Sequence, residues 1–169
     1  INVDGREIKA LAQVTKQGFT YVFDRATGVP VWPIIERAVP QGTMPGERTS
    51  PTQPIPTKPP AFVVQGLTED DLIDFTPELR AEAVSLLDNY VYGPLFTPAS
   101  LPDEEAGTRG TIFVPSAGGG ANWPGAGIDP ESNVLFVPGS NGAFYPFMGT
   151  LPEDESNFRF YRLANRGVP

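Results

Sequence analysis

A lysine in a turn is the first feature of this 169-residue sequence that could do chemistry. Lys16 stands in TKQG, between two runs rich in β-forming residues. A lysine at a hairpin tip is usually solvated. A hairpin mouth can instead point its cation at a ligand oxygen and stabilise the negative charge that develops there. The sequence leaves both interpretations of Lys16 open.

A glycine-rich stretch, Gly118 to Gly125 (GGGANWPG), is the second such feature. Its three consecutive glycines allow the backbone to approach a partner closely. The amide of Asn122 and the indole of Trp123 follow, and these groups could contact a planar polar ligand. The alternative is a tight turn between strands, with Trp123 in the hydrophobic core.

Other site types have little support. The chain contains no His and no Cys, which removes the commonest catalytic base, the commonest zinc ligand and any disulfide. Two acidic runs, Asp70 to Asp74 and Glu153 to Glu155, lack the spacing and the internal glycine of a calcium loop. A solvated face explains both runs, and complementation of a helix dipole also suits the first. No metal site is predicted.

Composition narrows the class of protein. The net charge of −8 excludes nucleic acid as a partner, because a phosphate backbone would be repelled. With 40% hydrophobic residues, 18 Gly and 20 Pro, the chain suits one loop-rich β domain. No apolar run approaches the roughly 20 residues that span a bilayer. The first residues, INVDGREIKALAQV, lack the zones of a signal peptide.

A hairpin is predicted around Lys16, from IKALAQV and FTYVF, with Gly18 supplying the positive φ of the reversal. Phe19, Tyr21 and Phe23 fall on one face, with Thr20 and Val22 on the other. Both faces are apolar, which suits a sheet stacked between two others.

The hairpin is followed by DRATG, a turn in which the Asp24 carboxylate accepts backbone N–H bonds and Gly28 takes a left-handed conformation. A short strand, VPVW, should come next. The pattern recurs before the strand VLFV, where Asn133 replaces Gly28 and tolerates the same conformation. The second copy has the corresponding residues Asp129, Ser132 and Asn133.

Between the copies, Pro40 to Pro60 is predicted as an irregular loop extended over a surface. Helix starts follow at Thr68 and at Thr76, where Pro77 suits the first helical position. One face of the second helix should pack onto apolar residues. That face consists of Leu79, Ala83, Leu86, Leu87 and Tyr90.

Four stretches in order, KQGFTYVFDRATGVPVW, SPTQPIPTKPP, LFTPAS and GGGANWPGAGIDPESNVLFVP, resemble the quinoprotein dehydrogenases that use pyrroloquinoline quinone (PQQ). The resemblance is to the glucose and related polyol or alcohol group, and runs from about Lys9 to Pro138. It implies an eight-bladed β-propeller of four-stranded antiparallel blades. The chain is long enough for two or three of these blades.

The resemblance therefore implies a mainly β fold, a single partial propeller domain with a helical and Pro-rich insertion. Blade hairpins are expected in residues 1–39, and the Pro-rich loop with the helical insertion in residues 40–109. Further blade strands and an irregular tail are expected in residues 110–169.

The resemblance also implies residue roles. DRATGVPVW is similar to the family's tryptophan-docking motif, in which Asp24, Thr27 and Gly28 shape the turn and Trp32 packs against the neighbouring blade. The second copy departs from it, with Val137 at the tryptophan position. Lys16 matches the basic residue that hydrogen-bonds the reactive quinone oxygens. Asn122 and Trp123 match a stretch that contacts the cofactor and positions it.

The resemblance implies that this chain is a fragment of a longer dehydrogenase. In full length, such an enzyme oxidises a sugar, polyol or alcohol hydroxyl by hydride transfer to PQQ, and passes electrons to a quinone-type acceptor in the periplasm. The family's general-base Asp and calcium ligands lie upstream of the KQGF hairpin. No catalytic residue and no metal ligand is therefore assigned within this chain, which is expected to be inactive alone.

Two non-catalytic alternatives stay open. A partial propeller could serve as a binding or assembly module that self-associates through open blade edges. The helical insertion from Thr76 to Tyr90 could be an independent recognition element.

Overall fold

The computed structural model describes residues 1–162, which form short antiparallel strands, one α-helix and one 3₁₀ turn. The prediction of a mainly β fold with a helical insertion is confirmed. The strands are β1 (Asn2–Val3), β2 (Arg6–Glu7), β3 (Ala10–Val14), β4 (Thr20–Asp24), β5 (Ile34–Ala38), β6 (Thr52–Pro56), β7 (Gly127–Asp129), β8 (Val134–Phe136), β9 (Met148–Thr150) and β10 (Phe160–Arg162). Helix α1 is Pro77–Leu87, and the 3₁₀ turn is Glu69–Asp71.

The chain divides into two compact units that interleave along the sequence. Unit 1 consists of Ile1–Ala38, Thr52–Gln65 and Pro115–Gly142, and contains β1 to β8. Unit 2 consists of Val39–Pro51, Gly66–Val114 and Ala143–Pro169, and contains α1, β9 and β10. The division of the sequence at residues 39 and 109 stays a prediction. The last seven residues of the predicted tail lie outside the described residues.

Consecutive strands pair antiparallel, so within residues 1–162 every sheet has two strands. The β3–β4 hairpin is the pair predicted around Lys16, with Val14 opposite Thr20 and Ala10 opposite Asp24. Gly18 takes a φ of +82° at its turn, as expected. Phe19, Thr20 and Val22 are all buried, so both faces of β4 are covered.

The Pro-rich span is not wholly irregular, and that prediction was wrong for Thr52–Pro56. This segment is β6, which pairs with β5 over five residues. Pro54 and Pro56 lie two residues apart, so their missing N–H groups fall on the same edge of the strand. The Pro54 carbonyl oxygen accepts a 2.7 Å hydrogen bond from the Tyr21 hydroxyl, which places that edge away from β5. The other edge remains free to pair.

Helix α1 begins where the sequence predicts, because the Thr76 hydroxyl accepts a hydrogen bond from the Leu79 N–H and Pro77 occupies the first turn. The earlier start at Thr68 yields only the 3₁₀ turn, with Asp71 reaching back to the Thr68 N–H.

The predicted buried face of α1 is wrong in part. Leu87 is 4% exposed, but Leu79 is 40% and Leu86 59% exposed. Half-buried Arg80 turns inward instead and donates to the Leu72 carbonyl oxygen at 3.1 Å. A long basic side chain can cover apolar surface with its stem, so Arg80 takes an inward position in place of a leucine.

Candidate functional site

The tip of the β3–β4 hairpin presents Lys16 in an exposed position. The Gly18 N–H donates to the Thr15 carbonyl oxygen, and the Thr15 N–H to the Phe19 oxygen, which closes the turn. Within residues 1–162, the one hydrogen bond of the ammonium runs to the Ala117 carbonyl oxygen at 3.5 Å, the outer limit for such a bond. An ammonium has three donors, so Lys16 keeps donor capacity for a ligand.

The GGGANW stretch forms the turn that faces this tip. The Gly120 N–H donates to the Lys16 carbonyl oxygen at 2.7 Å. A Cβ at Gly119 would lie 2.6 Å from both Cβ and Cγ of Lys16, so only glycine allows the turn to rest on the lysine stem. The structure therefore brings Lys16 and the glycine turn together in unit 1.

Asn122 and Trp123 end this turn in different ways. The Asn122 side chain donates to the Gly118 carbonyl oxygen at 3.0 Å, and its oxygen accepts the Trp123 N–H at 2.9 Å. Both ends of this amide therefore shape their own turn. Trp123 is 91% exposed, so the alternative that placed its indole in the core is wrong.

Residues of the AFVVQG stretch hold the two turns in place, and the sequence reasoning missed them. Val63 is 8% exposed, and Cβ atoms added at Gly18 or Gly120 would collide with its methyl groups, while one at Gly139 would make a tight 3.0 Å contact. Val63 thus fills a space that three glycines leave open. The available signal was a short β-rich run directly after the prolines.

Gln65 clamps the hairpin tip from the same stretch. Its Nε2 donates to the Gln17 carbonyl oxygen at 2.8 Å and to the Val63 carbonyl oxygen at 3.2 Å. The Phe62 N–H adds a 2.9 Å bond to the Gly18 oxygen. In the described part of the chain, Gln65 Oε1 is buried without a hydrogen-bond partner. One acceptor of the side chain that binds Gln17 is therefore unsatisfied, at a cost of about 1–3 kcal/mol.

The two predicted turns share one geometry. The carboxylates of Asp24 and Asp129 each accept the N–H two residues ahead, at 2.8 and 3.0 Å. Gly28 takes a φ of +75° and Asn133 a φ of +55°, so the expected left-handed residue is present in both copies.

The turns differ in their closing contacts and in the residues after them. The Ser132 hydroxyl donates to Asp129 at 2.5 Å, and this bond is the main cause that lowers the Asp129 pKa below its ordinary value. The Thr27 hydroxyl instead accepts the Val29 N–H at 3.3 Å. Trp32 is half-buried in unit 1, and the blade against which it packs stays a prediction. Of the predicted strand VPVW, Pro30 forms a single bridge to Phe23.

Other candidate regions add nothing to this site. Among residues 1–162, no group of three or more acidic residues could hold a metal ion. Unit 2 has a cleft of about 520 Å³, with Met44, Val91 and Leu101 in its lining, but none of the predicted site residues lines it. Over the same residues, no helix has the length and apolar character needed to cross a bilayer.

Antiparallel pairing of consecutive strands, seen throughout the described residues, is the strand pattern from which propeller blades are built. Residues 1–163 match the PQQ family described as the glucose/ethanol/alcohol dehydrogenase β-propeller domain. The chain belongs to this family, and the predicted partial propeller is confirmed.

Several curated relatives carry dehydrogenase names. The chain is 33% identical to the glycerol dehydrogenase large subunit of Gluconobacter thailandicus, over 92% of this chain and 22% of the relative. It is 32% identical to the quinoprotein glucose dehydrogenase of Gluconobacter oxydans, over 88% of this chain and 17% of the relative. Identity to the quinate/shikimate dehydrogenase (quinone) of Acinetobacter baylyi is 31%, over 89% and 18%.

The chain spans about a fifth of the length of the curated relatives that it matches. These bacterial relatives all carry dehydrogenase names, with differing named substrates, which supports an oxidoreductase by family. No solved structure shows a significant match to the chain.

We call the hairpin tip at Lys16 and the turn of residues 118–123 that contacts it the Lys16 junction. The chemical groups of this junction fit a flat, anionic quinone such as PQQ. The ammonium of Lys16 is exposed and keeps free donors, and the Trp123 indole offers an uncovered planar face. Gly119 keeps the turn free of side-chain bulk on the lysine stem. The junction thus combines a cation and an aromatic face with little steric obstruction.

Proposed function

We propose that this chain is the part of a PQQ-dependent dehydrogenase that carries the Lys16 side of the cofactor site. The parent enzyme oxidises a hydroxyl of a sugar, polyol or alcohol, with PQQ accepting the hydride when bound. The observation that carries the proposal is the 2.7 Å bond from the Gly120 N–H to the Lys16 carbonyl oxygen. It joins the two motifs that the family resemblance assigns to the cofactor.

Each residue has a limited task in this proposal. The Lys16 ammonium donates to the quinone oxygens and stabilises the negative charge that accumulates there during oxidation. Trp123 supplies a planar face that orients the ring system. Asn122 holds the glycine turn and sets the direction of Trp123, since both ends of its amide are engaged in that turn.

The test replaces Lys16 in a parent enzyme that contains this segment. Removing one preorganised donor to developing charge lowers kcat by roughly 10²–10³-fold. We expect Lys16→Ala to cause a loss of this size, whereas Lys58→Ala, at another exposed lysine, leaves kcat within twofold. PQQ binding to both variants, measured by equilibrium dialysis, separates lost affinity from lost rate. Equal kcat in the two variants would contradict the role of Lys16.

The remaining parts of the proposal concern the parent. We expect the general base and the calcium ligands in the segment upstream of the hairpin, so this chain alone should not turn over substrate. By the family resemblance, the parent resides in the periplasm and passes its electrons to a quinone-type acceptor. The expected inactivity of the chain alone is tested by adding PQQ, calcium, a polyol and an artificial electron acceptor. Measurable turnover would contradict it.

A second candidate function is an assembly module, and the two-stranded sheets favour it. In the described residues no sheet has a third strand, although residues 29–31 bridge the second edge of β4, and two-stranded pairs are marginal alone. Several strand residues also expose large apolar side chains. These are Leu11, Ile35, Ile128, Val134 and Phe136.

Solution size tests this second function. Open edges recruit further strands, so an assembly module is expected to form dimers or larger species at micromolar concentration. Light scattering after gel filtration measures the mass. A monomer at every concentration would exclude self-association through the strand edges, without bearing on the PQQ proposal.

A further inference from the structure

The outward face of α1 is apolar. Phe75, immediately before the N-cap, is 83% exposed, and Leu79 and Leu86 follow at 40% and 59%. Leu79, half-buried Ala83 and Leu86 are four and three residues apart, which places them along one side of the helix, and Phe75 precedes Leu79 by four residues just outside the helix. We call Phe75, Leu79, Ala83 and Leu86 the α1 stripe. Contiguous exposed apolar residues of this kind mark interaction surfaces.

The surroundings of the α1 stripe are strongly acidic. From Thr68 to Tyr90 the chain has seven carboxylates and one guanidinium, and so carries six of its eight net negative charges. Glu78 and Glu82 are exposed and precede Leu79 and Ala83 by one residue, so they form a row beside the stripe. Hydrogen bonding, first with its own backbone and then with Thr76, lowers the pKa of Glu78 and keeps it ionised.

The single cation of this segment does not neutralise that row. Arg80 is half-buried and donates to the Leu72 carbonyl oxygen on the inward side of the helix. The inward side also contains Leu87, which is 4% exposed. The helix therefore presents hydrophobic side chains and uncompensated negative charge together on its outward side.

We propose that the α1 stripe is a docking surface for a separate polypeptide that carries an apolar face bordered by Lys or Arg. Such a partner buries Phe75, Leu79 and Leu86 and pairs with Glu78 and Glu82 at the rim. A second copy of this chain would bring the same acidic segment to the contact, and the like charges would repel each other. An anionic lipid surface would be repelled for the same reason.

The test uses this chain and a fluorescein-labelled, 18-residue Leu/Lys amphipathic helix as the probe. We expect anisotropy to report micromolar binding at low ionic strength. The double variant Phe75→Ser/Leu86→Gln should weaken binding at least tenfold, with circular dichroism reporting whether α1 is retained. The matched variant Phe158→Ser changes another strongly exposed aromatic residue, which lies outside the α1 stripe, and should leave binding within twofold.

Charge and occupant are tested separately. Glu78→Gln/Glu82→Gln should weaken binding of the Leu/Lys peptide severalfold and reduce the salt dependence of that binding. Poly-Lys should bind wild type and Phe75→Ser/Leu86→Gln equally, since it has no apolar face. If the double variant loses helicity, the single variants Phe75→Ser and Leu86→Gln provide the comparison.

Several outcomes would overturn the proposal. These are no binding of the Leu/Lys peptide, equal binding to wild type and the stripe variants, or preferential binding to phosphatidylglycerol vesicles. A wild-type dimer that the stripe variants convert to a monomer would identify a second copy as the occupant instead.

Discussion

The two ends of β4 use the same backbone device in different surroundings. Gly18 at the hairpin tip has a φ of +82°, and Gly28 beyond the Asp24 turn has a φ of +75°. A Cβ at Gly18 would collide with Val63, whereas a Cβ at Gly28 would meet no atom within 4 Å. Gly18 is therefore required by packing as well as by conformation, and Gly28 by conformation alone.

This difference separates a packed junction from an open turn. At the tip, Val63 and Gln65 hold Gln17 and Gly18, the two residues directly after Lys16, through contacts from distant sequence. At the other end, the turn is closed by its own Asp24 carboxylate and Thr27 hydroxyl. Substitutions at the tip should therefore cost more free energy and should also move the candidate site.

The largest effect is expected for Gly18→Ala. The left-handed conformation costs an alanine about 1–2 kcal/mol, and overpacking against Val63 adds about 1–3 kcal/mol. We expect the free energy of unfolding to fall by about 3 kcal/mol, measured by urea denaturation. Gly28→Ala bears only the conformational cost and should lose about 1 kcal/mol.

A compensating variant isolates the packing part of this effect. Val63→Ala removes the methyl groups that an alanine at position 18 would meet. Val63→Ala/Gly18→Ala should therefore lose less than the two single changes together. Strict additivity of the three measurements would contradict the packing interpretation.

Asp24→Ala should have an intermediate effect. It removes the carboxylate that accepts the Ala26 N–H at 2.8 Å in an exposed turn. The expected loss is about 1 kcal/mol of unfolding free energy. Asp129→Ala is the matched control in the second copy and should lose a similar amount. A loss at Asp24 as large as that of Gly18→Ala would remove the contrast between the two ends of β4.

Local features of this fold could be predicted because few residues decide them. The Asp24 and Asp129 turns close within five residues, and the Thr76 cap within four, so side-chain chemistry alone specifies them. The hairpin tip is equally local. From these local features the strand pair around Lys16 and the start of α1 could be predicted.

The junction and the helix face could not be predicted because distant partners decide them. Gln65 reaches Gln17 across 48 positions, and Lys16 reaches Ala117 across 101. Nothing in GGGANW alone indicates that Val63 fills the space beside it. The inward turn of Arg80 likewise depends on the Leu72 carbonyl group, so the apolar periodicity placed Leu79 and Leu86 wrongly but Leu87 correctly.

Gly28→Asn should lower the free energy of unfolding less than Gly28→Ala or Asp24→Ala does. The second copy has Asn133 at the equivalent position with a φ of +55°, so asparagine is compatible with this turn. A Cβ at Gly28 meets no neighbour, and we expect a loss of about 0.5 kcal/mol or less. Thermal unfolding measured beside Gly28→Ala tests this, since the alanine variant should melt at the lower temperature.

Ser132→Ala should change how the free energy of unfolding depends on pH. At neutral pH we expect its effect to be the smallest of these substitutions. Hydrogen bonds, first from the Ser132 hydroxyl and then from the Glu131 N–H, lower the Asp129 pKa below its ordinary value of 3.8. A lowered folded-state pKa contributes stability above the unfolded-state pKa, and this contribution is lost as pH falls through the folded-state pKa. The window therefore opens near pH 4 and extends below it.

In Ser132→Ala, NMR titration should show a higher Asp129 pKa, and stability should decline less below pH 4 than in wild type. Thr27→Ala is the matched control, because the Thr27 hydroxyl accepts the Val29 N–H and does not donate to Asp24. It should leave the Asp129 titration unchanged. An unchanged Asp129 pKa in Ser132→Ala would mean that the backbone N–H bonds alone stabilise the ionised carboxylate, and would contradict the role of the Ser132 hydroxyl.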